Sequence, residues 1–173
     1  MFKMRRVRST PNAVRRTQEK DGEMKLITSV KEMQRYVRHN YRKWRRIGLV
    51  PTMGYFHDGH MMLIREARKR CDRLVVSIFV NPLQFGRGSD FATYPRNLKR
   101  DLAIAKDLKV NVVFAPSSDE LYPEDYSTFV EEDRLSKKLC GPYRPGHFKG
   151  VARASRLPNA PGFCHLCFLL ARL

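Results

Sequence analysis

Apolar residues that follow Met24 recur at intervals of three and four positions. These positions are Leu26, Ile27, Val30, Met33 and Val37. Such spacing puts the apolar side chains on one face of an α-helix. The segment therefore predicts a helix that begins near Met24 and ends near His39.

Three short apolar runs later in the chain are typical of buried strands. They cover residues 47–50, 74–80 and 110–114, and segments with helical spacing at residues 60–71 and 97–109 separate them. Proline has no N–H for a sheet hydrogen bond, so we expect the first strand to end at Pro51. The alternation of strands and helices predicts an α/β fold with a parallel sheet and helices on both of its faces.

The chain divides into three parts. Residues 1–23 are basic and polar without apolar periodicity, so we expect a disordered extension, with Met24 as a candidate start. Residues 24–151 are expected to form the α/β domain, including a short helix within residues 116–123 and a brief strand at residues 128–130. Residues 152–173 contain two prolines and a glycine within five positions, and we expect an aberrant tail, frameshifted or unstructured.

The charge balance changes the picture of possible partners. Of the 173 residues, 34 are Lys or Arg and 17 are Asp or Glu, which gives a formal net charge of +17, and most of the excess lies before Pro51. Such charge attracts polyanions, but no recognisable nucleic-acid reader motif accompanies it, so a nucleic-acid partner is not favoured. No apolar run approaches the roughly 20 residues needed to cross a bilayer, and we expect a cytoplasmic chain.

The cysteines give a weak indication of metal binding. Cys164 and Cys167 have the spacing of a metal or redox site, and Cys140 with His147 offers further ligands. A single Cys-x-x-Cys pair without a second pair is poor evidence, and reduced thiols are the simpler interpretation.

Two histidines occur where the first predicted strand ends and the next helix begins. His57 and His60 flank Gly59, and the N-terminus of the helix supplies free N–H groups with roughly half a positive charge. Gly54 and Gly59 let the backbone approach an anion closely, so the segment favours a phosphate ligand. Two solvent-exposed histidines are the alternative, as is a zinc site, which needs more ligands than this segment offers.

Several motifs in register resemble the pantoate–β-alanine ligase family. They are residues 50–54 (VPTMG), 57–60 (HDGH), 76–85 (VSIFVNPLQF), 94–96 (YPR), Asp101, 113–116 (VFAP), Tyr122 with Pro123, and 144–151 (RPGHFKGV). The resemblance implies a Rossmann-like fold of the nucleotidylyltransferase type with an HxGH signature. Another HxGH nucleotidylyltransferase is a rival, but the motifs at residues 81–85 and 144–147 argue against it.

The resemblance also implies an activity: the ATP-dependent condensation of pantoate with β-alanine to pantothenate through pantoyl adenylate, with release of diphosphate and AMP. ATP is then a substrate and Mg²⁺ a cofactor, and a homodimer is expected. The resemblance ends near Val151, so we expect a truncated chain of reduced or no activity. A non-catalytic, basic nucleotide- or RNA-binding fragment is the alternative.

The resemblance assigns roles to individual residues. His57 and His60 are expected to be catalytic, and the ATP-binding residues are expected to be Pro51, Thr52, Met53, Gly54, His57, Gly59 and His60. Pantoate and β-alanine are assigned to Asn81, Gln84, Arg144 and His147. Each of these has an alternative, because Asn81 and Gln84 also suit a strand-end turn and Arg144 and His147 a basic loop. Asp101 is either a magnesium-associated carboxylate or a charge on a helix surface.

Overall fold

The computed structural model describes residues 23–41, 46–85, 91–122, 134, 136–138, 141–143, 147–148 and 150–151. Several predictions concern residues outside this set: the extension at residues 1–22, the strand at residues 128–130, Arg144 and the tail at residues 152–173.

The described residues form a parallel sheet with helices between its strands. The strands are β1 (Lys25–Ile27), β2 (Ile47–Thr52), β3 (Arg73–Ile78) and β4 (Val112–Phe114), in the order β1-β4-β3-β2. The helices are α1 (Val30–Tyr41), α2 (Asp58–Arg70), α3 (Leu98–Asp107) and α4 (Ser118–Leu121), and a 3₁₀ helix spans Pro82–Gln84. All recorded strand pairs are parallel, which confirms the predicted fold class.

The two faces of the sheet bury separate apolar clusters. Strand side chains alternate between the faces, so neighbouring residues of one strand enter different clusters. One cluster joins α1 to the sheet through Met33, Val37, Leu49, Val75 and Phe114. The other joins α2 and α3 to the opposite face through Val50, Ile64, Ala67, Val76, Ala105 and Val113. Helices therefore cover both faces, as the sequence predicts.

The start of the domain differs from the prediction. Lys25–Ile27 form strand β1, which pairs with β4, and α1 begins only at Val30. Lys25 and Leu26 are exposed and Ile27 is buried, so only the last residue of β1 enters the core. A three-residue strand is too short to be told from a helix start by spacing alone, and pairing with the distant β4 decides its conformation.

The end of β2 also differs from the prediction. The strand continues through Pro51 to Thr52, and Pro51 lies in register with Ser77. The Thr52 carbonyl accepts a hydrogen bond from the N–H of Phe79, so the backbone of the preceding Pro51 points away from β3. Within the described sheet β2 is an edge strand, where a missing N–H leaves no partner unsatisfied.

The remaining elements agree with the prediction to within a few residues. Helix α2 begins at Asp58 instead of His60, and Asn97 caps α3 by accepting a hydrogen bond from the N–H of Arg100. Helix α4 is the predicted short helix. In the described part of the chain no helix has the length and apolarity needed to span a membrane.

Candidate active site

A cavity of about 320 Å³ lies at the carboxyl ends of β2, β3 and β4. Residues that follow each strand line it: Met53 and Gly54 after β2, Phe79 after β3 and Ala115 after β4, with Arg96 on a further wall. In open parallel sheets this edge is where ligands bind, and the volume suits a small molecule.

The β2–α2 loop (residues 53–57) forms one wall of this cavity and leads directly into α2. Gly54 has a φ of +83°, and Tyr55 follows with a φ of +52°. A Cβ atom on Gly54 would lie 3.0 Å from Cγ2 of Ile78 and 3.1 Å from Oδ2 of Asp101. Both the left-handed backbone and the lack of space therefore require glycine here.

Thr52 holds the start of the β2–α2 loop. Its hydroxyl donates to the carbonyl of Ser77 at 2.7 Å and accepts from the N–H of Gly54 at 3.1 Å. The residue is only 9% exposed. The structure thus gives the Thr52 side chain to the turn, whereas the sequence assigned it to ATP. Met53 lines the cavity, and Pro51 is half-buried within the strand.

His57 and His60 cap the N-terminus of α2 together. Nδ1 of His57 accepts a hydrogen bond from the N–H of Gly59 at 3.1 Å, and Nδ1 of His60 accepts from the N–H of His57 at 3.4 Å. This is the reciprocal arrangement of a capping box, with imidazoles in place of the usual hydroxyl and carboxylate. The two ring centroids are 4.0 Å apart.

These hydrogen bonds determine the tautomer of both rings. A neutral imidazole that accepts through Nδ1 carries its proton on Nε2. His57 and His60 therefore each have an Nε2–H donor left for a ligand, next to the positive end of the α2 dipole. The arrangement can bind a phosphate group from several directions at once.

His60 is kept neutral by its surroundings. Burial lowers the pKa of His60 from its ordinary value, the nearby His57 lowers it further, and Asp101 partly opposes both. A neutral His60 retains the Nδ1 lone pair that accepts from the His57 N–H. The cap and the Nε2–H donor therefore persist at neutral pH.

Gly59 leaves room for the His57 ring. A Cβ atom at this position would lie 3.0 Å from Cε1 and 3.1 Å from Nδ1 of His57. Any larger residue would press on the imidazole that caps the helix. This contact explains the glycine between the two histidines.

Asp101 is a buried residue that holds the β2–α2 loop and lines the cavity, and its magnesium role stays a prediction. It is 1% exposed, which excludes a charge on the helix surface. Its Oδ2 accepts from the N–H of Tyr55 at 2.7 Å, and its Oδ1 accepts from the N–H of Phe56 at 2.9 Å. Both oxygens of the expected magnesium ligand are thus engaged by the β2–α2 loop.

The described residues offer no separate protein site for a metal. No group of three or more His, Cys, Asp or Glu side chains placed to hold an ion occurs among them. Cys71 is a buried free thiol, and burial raises its pKa. Cys140, Cys164 and Cys167 lie outside the described residues.

The β3 exit loop (residues 81–85) is organised by Asn81, which is 0% exposed. Its Oδ1 accepts from the N–H of Leu83 and from the hydroxyl of Tyr122, both at 3.1 Å. Its Nδ2 donates to the carbonyl of Gly150 at 2.9 Å. The Asn81 side chain therefore holds the strand-end turn, and its assignment to pantoate and β-alanine stays a prediction.

Gln84 and His147 contact each other, but neither contacts the cavity. Nδ1 of His147 lies 3.3 Å from the backbone oxygen of Gln84. A Cβ atom on Gly150 would lie 2.5 Å from the carbonyl oxygen of Leu83, so the two segments pack backbone against backbone. Neither Gln84 nor His147 lines the cavity at the strand ends.

Sequence reasoning assigned no role to Arg100, nor to Tyr122 and Gly150, which lie in the motifs that carry the family resemblance. Arg100 donates to the carbonyl of Phe56 at 3.1 Å, and its guanidinium carbon lies 5.1 Å from the centre of the Tyr55 ring. An Arg next to an Asp in a helix looks like ordinary surface charge. Only the packing of α3 against the β2–α2 loop reveals its contact.

The fold and this site together define a class of protein. A parallel α/β sheet with a cavity at its carboxyl edge, and a helix whose N-terminus directly follows a loop that lines this cavity, is the architecture of Rossmann-like nucleotide-binding proteins. His57 and His60 cap that helix and are not themselves among the residues that line the cavity. The family model for pantoate–β-alanine ligase matches residues 25–156. The chain belongs to the pantoate–β-alanine ligase family.

Individual relatives agree with this assignment. Pantothenate synthetase from Heliobacterium modesticaldum is 59% identical over 128 residues, which cover 74% of this chain and 46% of that protein. Pantothenate synthetase from Geobacter sulfurreducens is 53% identical over 128 residues, covering 74% and 45%. The chain spans about half the length of the curated relatives it matches.

Solved structures are similar as well. The crystal structure of pantothenate synthetase from Thermus thermophilus superposes with a TM-score of 0.69 at 41% identity, covering 79% of this chain and 49% of that one. The pantoate–β-alanine ligase from Francisella tularensis, complexed with beta-gamma ATP and β-alanine, gives a TM-score of 0.69 at 36% identity, with 79% and 54% covered.

Proposed function

We propose that this chain binds Mg-ATP at the N-terminus of α2 and takes part in the ATP-dependent joining of pantoate to β-alanine. In the first step a pantoate carboxylate oxygen attacks the α-phosphorus of ATP, the bond to the β-phosphate oxygen breaks, and diphosphate leaves. In the second step the β-alanine amine attacks the carbonyl carbon of pantoyl adenylate. AMP leaves with the carboxylate oxygen, the amine loses a proton, and pantothenate is formed.

The observation that carries the proposal is the cap that His57 and His60 form through their Nδ1 atoms, from which we infer an Nε2–H donor on each ring. Negative charge grows on the α-phosphate oxygens as the carboxylate attacks. Donors already in place stabilise that charge more in the transition state than in the ground state. The capping bonds to both Nδ1 atoms hold the two rings in position, so little reorganisation is needed during the reaction.

Magnesium would enter this site with the phosphates of ATP. Mg²⁺ usually keeps several water ligands and binds nucleotide phosphates, which suits a described site without a cluster of carboxylates. When bound it neutralises phosphate charge and stabilises the leaving diphosphate. Gln84 and His147, with Arg144 outside the described residues, remain the proposed contacts for pantoate and β-alanine.

The test is release of diphosphate and AMP by the purified chain under single-turnover conditions, with protein in excess over ATP. We expect diphosphate to require pantoate and AMP to require both pantoate and β-alanine. The chain spans about half the length of its relatives. We therefore propose that the chain releases diphosphate and AMP slowly, and single-turnover conditions allow slow release to be detected.

Two variants give the assay its control. His60→Ala removes the Nε2–H donor and should reduce release by at least about a hundredfold, the usual cost of losing one oxyanion donor. His39→Ala makes the same change on the exposed face of α1 and should leave release unchanged. A folded chain that does not bind Mg-ATP would overturn the proposal, and one that binds it without forming diphosphate would limit the proposal to nucleotide binding.

A second candidate function rests on the outer face of α1. Lys31, Arg35, Arg38 and His39 line an open groove of about 500 Å³ together with Gln34. Such a surface attracts polyanions, so the alternative is a non-catalytic, basic nucleotide- or RNA-binding fragment. RNA affinity with a steep salt dependence that persists in a His57→Ala, His60→Ala double variant would favour it.

Two further expectations belong with this proposal. The family resemblance implies a homodimer, which sedimentation of the purified chain tests directly. It also implies a cytoplasmic location, which imaging or fractionation of the expressed chain tests.

A further inference from the structure

Two adjacent residues in the first turn of α3 form hydrogen bonds to the β2–α2 loop. Asp101 accepts the N–H groups of Tyr55 and Phe56 at 2.7 and 2.9 Å. Arg100 donates to the carbonyl of Phe56 at 3.1 Å and places its guanidinium 5.1 Å from the centre of the Tyr55 ring. Donors and acceptors of the same two loop residues are therefore held from one helix turn.

The loop needs such support because its backbone is strained. Tyr55 adopts a φ of +52°, which costs a non-glycine residue free energy and persists only where the surroundings enforce it. The strained residue lies two positions before His57, whose own N–H and imidazole begin the cap of α2. Any shift at residues 55 and 56 is passed directly to the two imidazole donors.

The same contacts argue against the metal role that the family resemblance gave to Asp101. Mg²⁺ demands octahedral geometry and keeps several waters, so its ligands must be reachable by a hydrated ion. The Asp101 carboxylate is 1% exposed, and each of its oxygens already accepts a short hydrogen bond from a loop amide. Asp101 does line the cavity, so an ion there would compete with the Tyr55 and Phe56 amides for the same two oxygens.

We propose that Arg100 and Asp101 are positioning residues, which fix the β2–α2 loop so that His57 and His60 meet the phosphates of ATP, and that Asp101 is not a magnesium ligand. The functional part of this inference rests on the proposed function. The structural part, hydrogen bonding to the Tyr55 and Phe56 amides, does not depend on the proposed function.

The test combines amide hydrogen exchange with binding of Mg-ATP to the full chain. Asp101→Asn keeps the size of the side chain but replaces one acceptor with a donor that faces a loop N–H. We expect exchange at Tyr55 and Phe56 to accelerate roughly tenfold to a hundredfold, as for loss of a hydrogen bond to a charged group. Exchange of the buried Val76 and Val113 amides in the sheet should stay unchanged.

Binding separates a positioning role from a metal role. For a positioning residue, Asp101→Asn weakens ATP binding roughly tenfold both without Mg²⁺ and at saturating Mg²⁺, so the gain in ATP affinity that Mg²⁺ provides is unchanged. A metal ligand gives the reverse: protected amides and loss of most of the gain that Mg²⁺ provides. That result would overturn the proposal.

Matched variants keep the test decisive. Arg100→Met should accelerate exchange at Phe56 and weaken Mg-ATP binding in the same direction, and it serves if Asp101→Asn does not fold. Arg100→Lys retains a charged donor and should recover part of the loss. Lys99→Met, at an exposed position in the first turn of α3, and Asp107→Asn, at the exposed last residue of the same helix, should change neither readout.

The two proposals can fail separately. If the parent chain does not bind Mg-ATP but the variants show accelerated exchange, the proposed function is refuted and the contacts between α3 and the loop are upheld. Unchanged exchange at Tyr55 and Phe56 in both Asp101→Asn and Arg100→Met would refute the stabilising role of those contacts.

Discussion

Two loops leave the carboxyl edge of the sheet and are held in different ways. The β2–α2 loop is fixed by charged side chains of α3, a helix of the same sheet unit, through Asp101 and Arg100. The β3 exit loop is fixed by the neutral amide of Asn81, whose Nδ2 donates to Gly150, a residue 69 positions away. The first loop therefore depends on the sheet and its own helices, whereas the second depends on a remote segment of the chain.

This difference suggests that the two loops contribute differently to nucleotide binding and to stability. The β2–α2 loop carries the two histidines that we propose bind phosphate, and its contacts lie within residues 52–101. The β3 exit loop contacts His147 and Gly150, so we expect its shape to depend on these distant residues as well as on its own bonds. We therefore expect nucleotide binding to tolerate changes in the second loop, and the chain's stability to respond strongly to them.

The largest expected effect comes from Asn81→Ala. The substitution removes three hydrogen bonds, one of them fully buried and two partly buried, so we expect a loss of about 3 kcal/mol in the free energy of unfolding. Urea unfolding followed by circular dichroism measures it.

Asn97→Ala is the control for that measurement. It removes an exposed N-cap bond of α3 and should cost about 1 kcal/mol. Mg-ATP affinity of folded Asn81→Ala should stay within a few-fold of the parent chain. An equal loss of stability in both variants would show that Asn81 does not organise the second loop.

A smaller effect separates the two glycines near the first loop. Gly54→Ala forces a Cβ into the left-handed backbone against Ile78, and we expect a loss of about 2 kcal/mol in unfolding free energy. Gly59→Ala meets only the movable His57 ring and gains helix propensity, so its stability should change little. Its Mg-ATP affinity should fall instead, because the ring is displaced.

Unfolding curves and Mg-ATP titrations of the two variants check this prediction together. Loss of stability in Gly59→Ala with unchanged affinity would contradict the role assigned to the His57 cap.

The smallest effect concerns pH. Burial lowers the pKa of His60 in the folded chain below its unfolded value of about 6.5, so the unfolded state binds the proton first as the pH falls. The contribution of His60 to stability is therefore complete above about pH 6.5 and declines as the pH falls through the folded pKa. His60→Gln should remove this part of the decline.

Unfolding free energies at pH 7.5, 6.5 and 5.5 test the sign, with His39→Gln as the control variant. A His60→Gln chain that loses stability on acidification as steeply as the parent would rule out the neutral His60.

Sequence patterns predicted the sheet, its helices and the location of the site, because buried strands and amphipathic helices leave clear periodicities. They failed at β1, whose conformation is decided by pairing with β4, and at Pro51, whose place in a strand depends on β2 being an edge. The histidine pair was found because its position between a strand and a helix has a physical meaning. The roles of Asn81 and Asp101 were not, because polar residue type alone does not show whether a side chain faces a ligand or a buried backbone.

The most direct measurement of the central claim follows the imidazole nitrogens of the ¹⁵N-labelled chain during titration with Mg-ATP. We predict unprotonated Nδ1 and protonated Nε2 signals for His57 and His60 before addition. Both Nε2 signals should shift as Mg-ATP saturates, while those of His39 stay unchanged. Binding of Mg-ATP that moves the His39 signals and leaves His57 and His60 unaffected would contradict the account.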